Sequence, residues 1–131
     1  MALNAADPHH KSFQKELLPA AVEKEMGIVG MKIPARGRIL SSWSPPPPES
    51  QPSWTRGATG PGTLTMREAM RYVLSLPVST VIVGCDSAAQ VEENVGIART
   101  FTPLSGAQLA ELQTKAEPVK RQALFFRPWE A

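Results

Sequence analysis

The stretch from Val78 to Asn94, VSTVIVGCDSAAQVEEN, decides how this chain folds. Seven residues of buried-strand composition end at Gly84, and a short polar turn then leads into a helix that begins at Ser87. The unpaired N–H groups in the first turn of a helix, together with its aligned peptide dipoles, favour an anion such as a phosphate. The segment therefore predicts a strand that leads through a turn to an anion-binding helix N-terminus.

The size and composition of the chain indicate one folded domain. It has 131 residues, of which 42% are hydrophobic, so it can bury a core. A net charge of +2 is too small to indicate a nucleic-acid partner. The two densest basic spots, Arg36–Arg38 and Lys120–Arg121, are interpreted as solvated loop and tail charges.

Cysteine usage and the N-terminal residues indicate the compartment. The only cysteine, Cys85, excludes a disulfide framework and a cysteine-rich metal site, and it permits a reducing compartment. The sequence has neither the basic start and apolar core of a signal peptide nor a run of about 18 apolar residues. We expect a cytoplasmic protein with no membrane partner.

The first third of the chain predicts a helix followed by a strand. Ser12 can cap a helix, and Pro19 either kinks this helix or lies in its first turn. Gly27 suits the C-cap, and the strand GIVGMKI follows from Gly27 to Ile33. The apolar positions of the helix recur at three- and four-residue steps: Phe13, Leu17, Leu18, Ala21 and Val22.

Residues 34–62 break this pattern. They hold four consecutive prolines, Pro45 to Pro48, among scattered Gly and Ser, which favours extended, solvated backbone without a helix or a ladder. A loop of this length is a functional lid or a disordered insertion. Trp43 and Trp54 either clamp the loop onto the body or a ligand, or pack locally.

The remainder of the chain predicts three further helices. Three capping boxes begin them, formed by Thr65 with Glu68, Ser87 with Gln90, and Ser105 with Gln108. The first helix ends before Pro77, and the tail QALFFRPWEA is expected to dock on the body. The first helix has one apolar face, formed by Met66, Ala69, Met70, Val73 and Leu74. The second carries the apolar residues Val91, Val95 and Ala98, and the third carries Leu109 and Leu112.

The order of elements predicts α/β architecture. Strands joined through helices form parallel pairs with right-handed crossovers, and both predicted strands are apolar on both faces, which suits cover on each side. Two strands, or three if Ala2–Ala5 ends another, cannot form a sheet with covered edges. The chain is therefore expected to be a piece of a larger architecture.

Four segments resemble the C-terminal third of an aldo/keto reductase. They read LLPAAVEKEMG, GIVGMKI, REAMRYVLSLPVSTVIVG and QVEEN, and the resemblance covers residues 12–33 and 63–127. It implies the last strands and helices of a (β/α)8 barrel, a partial TIM barrel that carries the long Pro-rich loop. Gly27–Ile33 would be the seventh strand, Val78–Gly84 the eighth, and Ala2–Ala5 the end of the sixth. A complete barrel needs roughly 250 residues, so Met1 looks like an internal residue of a longer protein.

The resemblance also implies a site for NADPH at the carboxyl ends of the strands. Met31 and Lys32 would lie near the nicotinamide and the pyrophosphate, with barrel packing and a solvated strand end as their alternatives. The adenosine ribose phosphate would lie on the loop Gly84, Cys85 and Asp86, with Gln90, Glu93 and Asn94 on the helix behind it. Glu93 and Asn94 would hydrogen-bond the adenine, unless they only form a solvated helix face.

The preference for NADP over NAD is left open by three positions. Many family members place an arginine at the position of Gln90 and a lysine near Gly84, and this chain has neither. Asp86 adds a negative charge where the 2′-phosphate would lie. A charge-assisted hydrogen bond to the 2′-phosphate would contribute about 1.5–3 kcal/mol, so the absence of these two residues weakens the expected preference for NADP.

The resemblance implies that this chain lacks the catalytic residues. The family reduces a carbonyl by hydride transfer, with a tyrosine, a lysine, an aspartate and a histidine from the first half of the barrel. Tyr72 lies on a helix of the outer shell, and His9 and His10 follow the sixth strand in a loop, either solvated or on the substrate side. We expect the chain alone to be inactive.

Two rival interpretations remain open, a module that completes a barrel with another chain and a poorly folding gene remnant. Other kinds of site fail on inspection. The sequence has no Walker phosphate loop, the histidines with Asp7 are too compact a set for zinc, and no histidine has a context that would activate Cys85.

Overall fold

The computed structural model describes residues 1–50, 58 and 60–129, so the interpretation of Trp54 lies outside the described residues. Within these ranges, two short strands and five α-helices follow in the expected order of helix, strand, long segment, helix, strand and helices. The elements are α1 (Phe13–Glu23), β1 (Val29–Gly30), α2 (Met66–Leu74), β2 (Thr80–Val81), α3 (Ala88–Arg99), α4 (Gly106–Ala116) and α5 (Lys120–Ala123).

The two strands form a small parallel sheet. β1 pairs with β2 in parallel, with Val29 opposite Thr80 and Gly30 opposite Val81. On the other side of β1, Ala2 forms a parallel bridge with Met31. The sheet therefore has residues 1–3 at one edge, β1 in the centre and β2 at the other edge, and the expected α/β class with parallel strands is confirmed.

Helix α1 begins as predicted and ends differently. The Ser12 hydroxyl accepts a hydrogen bond from the Lys15 N–H, and Pro19 lies inside the helix, so a late start is excluded. The prediction of a C-cap at Gly27 was wrong. Glu25 takes the left-handed conformation with φ +52°, while the Met26 N–H donates to the Ala21 carbonyl at 3.0 Å and the Glu25 N–H to the Val22 carbonyl. These bonds form a Schellman motif that satisfies the last carbonyls two residues earlier than expected.

The core lies between the sheet and the helices α2 and α4. Capping boxes begin both helices, at Thr65 with Glu68 and at Ser105 with Gln108, as predicted. The largest fully buried side chain is that of Tyr72. The apolar residues buried with it include Leu3, Ile33, Leu64, Val73, Leu112 and Leu124.

The C-terminal segment 122–129 docks on the body, which confirms that expectation for its described residues. The Arg127 guanidinium forms a buried ion pair with Asp7 and donates to the His10 carbonyl at 2.6 Å. The Asp7 carboxylate also accepts from the Ser12 hydroxyl at 2.5 Å and from the Gln14 N–H at 2.9 Å. One buried carboxylate therefore ties the start of α1 to the end of the chain.

The first part of segment 34–62 is folded, which corrects the expectation of extended, solvated backbone. Ala35–Gly37 forms a 3₁₀ turn, and Leu40 makes a parallel bridge with Leu64. Arg38 is buried with its guanidinium 4.0 Å from the centre of the Phe125 ring, so it is not a solvated charge. Trp43 packs on this turn, because a Cβ added at Gly37 would lie 2.6 Å from its Cδ1. For Trp43, local packing is therefore the observed arrangement.

The sheet has one covered and one open face, so the expectation that both strands are covered on each side was wrong for this chain. Gly30 faces Val73 of α2 and Val81, whereas Val29, Met31 and Ile82 on the opposite face are exposed. The apolar residues that the sequence indicated in α3 do not form its buried face. Val91, Val95 and Ala98 are exposed, and Ile97 is the residue of α3 that is buried.

Candidate functional site

The carboxyl end of β2 leads through an open turn to the N-terminus of α3. Gly84, Cys85 and Asp86 form this turn, and Ser87 is the N-cap of the helix. Gly84 is exposed, and a Cβ added to it would meet no atom within 4 Å. A ligand can therefore approach the backbone of Gly84 from the solvent side.

The first turn of α3 is capped differently from the prediction. The Ser87 hydroxyl accepts from the Gln90 N–H at 3.3 Å, as expected. The Gln90 side-chain oxygen accepts from the Asp86 N–H at 2.7 Å, so it bonds the residue before the N-cap and the reciprocal half of the box is absent. The side chain of Gln90 thus folds over the turn and occupies a backbone donor that an anion could use.

Cys85 and Asn94 are joined across the same turn. The Asn94 side-chain amide donates to the Cys85 sulfur at 3.3 Å, and the Cys85 thiol lies 3.8 Å from the Val83 carbonyl oxygen. Both residues are half-buried, whereas Glu93 is exposed. The fold therefore brings together Cys85, Asp86, Gln90 and Asn94 from the set of residues that the sequence indicated.

Met31 and Lys32 follow β1, the neighbouring parallel strand. Carboxyl ends of parallel strands lie at the same edge of a sheet, so these residues belong to the same edge as Gly84. Met31 is 43% exposed. Lys32 has a left-handed backbone with φ +61°, and its ammonium lies 5.8 Å from the centre of the Phe125 ring. The side chain of Lys32 thus meets the C-terminal segment, while the described bonds of the α3 group stay within residues 83–94.

Sequence reasoning missed Asn4, which is 1% exposed and lies between Lys32 and the end of α5. Its side-chain amide donates to the Lys32 carbonyl at 3.3 Å and to the Ala123 carbonyl at 3.4 Å. A polar residue directly after a strand end was the one signal that could have indicated it.

The histidines and the tyrosine have structural partners. His9 Nε2 lies 2.8 Å from the Gln113 carbonyl oxygen, and His10 stacks on Trp129 with 3.7 Å between ring centres. Both histidines are half-buried and have partners, so neither is a fully solvated loop residue. Tyr72 lies in the helical layer, where burial raises its pKa to about 12. A proton donor for carbonyl reduction needs the opposite shift.

Two classes of site find no support in the described residues. No group of three or more His, Cys, Asp or Glu side chains within residues 1–50, 58 and 60–129 could hold a metal ion. In that same part of the chain, no helix is both long and apolar enough to cross a membrane.

Two parallel strands, one of which leads through a polar turn to a helix N-terminus, form the arrangement that the sequence resemblance to aldo/keto reductases implies. Two solved structures match the fold, the holo and apo forms of aldo-keto reductase AKR11C1 from Bacillus halodurans. Each has a TM-score of 0.60 and 25% sequence identity, over 88% of this chain. These matches confirm the resemblance to the aldo/keto reductases.

The similarity covers only part of those proteins. This chain spans 41% of the holo structure and 42% of the apo structure, which is consistent with a C-terminal portion. No family model matches the sequence. No curated protein matches it either.

Proposed function

We propose that this chain is the cofactor-binding C-terminal part of an NADP-dependent aldo/keto reductase, and that it carries no catalytic tetrad. The complete protein would form a (β/α)8 barrel and reduce aldehydes or ketones by hydride transfer from the nicotinamide. The single observation that carries the proposal is the parallel β2 strand that opens, through the uncrowded turn at Gly84, onto α3.

The residues present fit the adenosine half of a dinucleotide. Gly84 leaves space for the ribose phosphate, and the N-terminus of α3 favours its negative charge. Asn94 is half-buried beside the turn and would bond the adenine edge, together with Glu93. Asp86 opposes the 2′-phosphate, so NAD is not excluded as a cofactor.

The nicotinamide half would lie over the end of β1. Met31 offers a polarizable sulfur and an exposed surface to an aromatic ring. Lys32 supplies the positive charge on this side of the site and would pair with the pyrophosphate. The bound cofactor would supply the hydride, and the residues of this chain would hold the nicotinamide in place.

Binding of nucleotides to the purified 131-residue chain tests the proposal. NADPH and adenosine 2′,5′-bisphosphate should both bind in calorimetric titrations, and Asn94→Ala should weaken both. Gln113→Ala, which removes an amide in the helical layer, serves as the matched control and should leave both affinities unchanged. Absence of binding to either compound, or equal losses in the two variants, would contradict the proposal.

The absence of a tetrad predicts no turnover. NADPH oxidation by the chain in the presence of aldehydes and ketones should stay at the rate of the buffer control. Tyr72→Phe should behave identically, because this hydroxyl is buried between Gln14 and Gln113. Measurable turnover that Tyr72→Phe abolishes would overturn the assignment of an inactive part.

A second candidate function is a non-catalytic module that completes a barrel with another chain, such as an N-terminal half-barrel. The open sheet face favours it, since Val29, Met31 and Ile82 expose 40%, 43% and 60% of their surfaces. A groove of about 270 Å³ between α1 and the start of β1 shares Val29 with this surface and is lined by Met1, Leu17 and Met26 among others. A chain that is monomeric, melts sharply and binds no hydrophobic dye would count against this candidate.

A further inference from the structure

Asn4 joins three segments of the chain at the sheet edge that carries the candidate site. Its side-chain oxygen accepts from the Ala6 N–H at 3.0 Å, which fixes the orientation of the amide. Its amide nitrogen then donates to the carbonyls of Lys32 and Ala123 at 3.3 and 3.4 Å. The side chain is 1% exposed, so these partners replace water completely.

Hydrogen bonds to the Lys32 carbonyl stabilise an unfavourable backbone conformation at this residue. A residue with a Cβ is disfavoured in the left-handed region, and Lys32 has φ +61°. Its carbonyl accepts from the Ala35 N–H at 3.0 Å in addition to the Asn4 amide. The two donors hold the peptide plane that follows Lys32, and this plane sets the direction in which the chain leaves β1.

The same amide also bonds the C-terminal segment that the Lys32 side chain contacts. Ala123 is the last residue of α5, and its carbonyl is among those that no further helical turn satisfies. Phe125 follows two residues later and lies 5.8 Å from the Lys32 ammonium. Asn4 thus connects the backbone of Lys32 and the segment that its side chain contacts.

We propose that Asn4 is a positioning residue for the nicotinamide and pyrophosphate half of the cofactor site. It acts through Lys32 and does not touch the cofactor itself. The proposal rests on the proposed function, because it assumes that Lys32 pairs with the pyrophosphate. The adenosine half, built on α3, does not depend on Asn4.

Two ligands separate these halves in one experiment on the full 131-residue chain. Asn4→Asp keeps the acceptor for the Ala6 N–H and replaces the donor that holds Lys32. We expect the Kd for NADPH to rise about tenfold, the effect of a lost buried donor, while the Kd for adenosine 2′,5′-bisphosphate changes less than about twofold. Asn4→Ser, which introduces no buried charge, should give the same pattern, and it carries the test if Asn4→Asp fails to fold.

Gln113→Glu is the matched control, since it makes the same amide-to-acid change in the helical layer, where Gln113 donates to the Tyr72 hydroxyl. It should lower the melting temperature without changing the ratio of the two affinities. An unchanged NADPH affinity in both Asn4 variants, or a parallel loss for both ligands, would overturn the positioning role. A wild-type chain that binds neither ligand would overturn the proposed function first, and the positioning role with it.

Discussion

At the scale of single residues, the charge at position 86 opposes the proposed phosphate site. Asp86 is exposed in the turn before α3, and its N–H is held by the Gln90 side chain. A carboxylate next to a bound phosphate would repel it, although solvent and salt screen the effect. The residue therefore bears on the choice between NADPH and NADH.

We predict that Asp86→Asn raises the affinity for NADPH about threefold to tenfold and leaves that for NADH unchanged, as expected for one screened charge. The measurement is a pair of calorimetric titrations at low and moderate salt, and the gain should shrink as salt increases. Glu111→Gln removes an equal charge from an exposed position of α4 and should have no effect. An equal gain for NADH, or a gain in Glu111→Gln, would contradict the prediction.

The end of α1 contains a residue in an unfavourable backbone conformation. Glu25 occupies the left-handed position of the Schellman motif, where a Cβ costs about 1 kcal/mol and glycine costs little. Glu25→Gly should therefore raise the free energy of unfolding by about 0.5–1 kcal/mol in urea denaturation. Glu23→Gly, a glycine in the last helical turn, should lower it. A destabilised Glu25→Gly chain would contradict the motif.

Residues whose partners are close in the chain could be predicted from the sequence, and the others could not. Thr65 and Ser105 bond N–H groups three residues away, so their boxes are visible as a sequence pattern. Asp7 and Arg127 are 120 positions apart, and no local pattern indicates that they form a buried pair. The position of Asn4 after a strand end was a weak local signal, but its bond to Ala123 spans 119 positions and could not be predicted.

At the scale of elements, the sequence indicated the order of the helices and strands but not which faces are covered. Periodicity in the sequence identifies an apolar stripe on a helix, but the stripe is buried only where a partner surface is present. Val91 and Val95 of α3 expose 49% and 42% of their surfaces, although their spacing suits a buried face. The covered side of α3 is marked by Ile97. Such stripes mark surfaces that the described residues leave open.

The helical layer contains a buried network that should respond to alkaline pH. Tyr72 donates to Gln14 of α1 at 2.6 Å and accepts from Gln113 of α4 at 3.0 Å, so one hydroxyl links three helices. Burial raises the pKa of Tyr72 to about 12 from the ordinary value of about 10. The folded chain therefore holds this proton more tightly than the unfolded chain.

This difference predicts a loss of stability between pH 10 and 12. In that window the unfolded state binds fewer protons than the native state, so the free energy of unfolding falls as pH rises, by roughly 2–3 kcal/mol in total for a shift of this size. The stability that the raised pKa of Tyr72 contributes is fully present below pH 10. Urea denaturation at pH 9 and pH 11 measures it. Tyr72→Phe should be less stable at pH 9 and should lack this part of the decrease, and parallel decreases in both chains would contradict the assignment.

Across the fold as a whole, one face of the small sheet carries exposed apolar side chains. Val29, Met31 and Ile82 lie on the face opposite the helices, and all three are exposed. Contiguous apolar surface of this kind marks an interaction site or a risk of association. The chain also spans only about two fifths of the similar structures, so a barrel would have the remaining strands available to cover this face.

We predict that Ile82→Thr reduces self-association and dye binding without loss of stability. Ile82 is 60% exposed, so its substitution removes few packed contacts, and the free energy of unfolding should change by less than about 0.5 kcal/mol. Ile97→Thr makes the same chemical change at a position that is 2% exposed, and it should destabilise the chain by about 1–3 kcal/mol. Sedimentation velocity and the fluorescence of a hydrophobic dye measure the first effect, and urea denaturation measures the second. If Ile82→Thr instead unfolds the chain as Ile97→Thr does, this face is covered in solution by the chain itself, and no partner is needed to complete it.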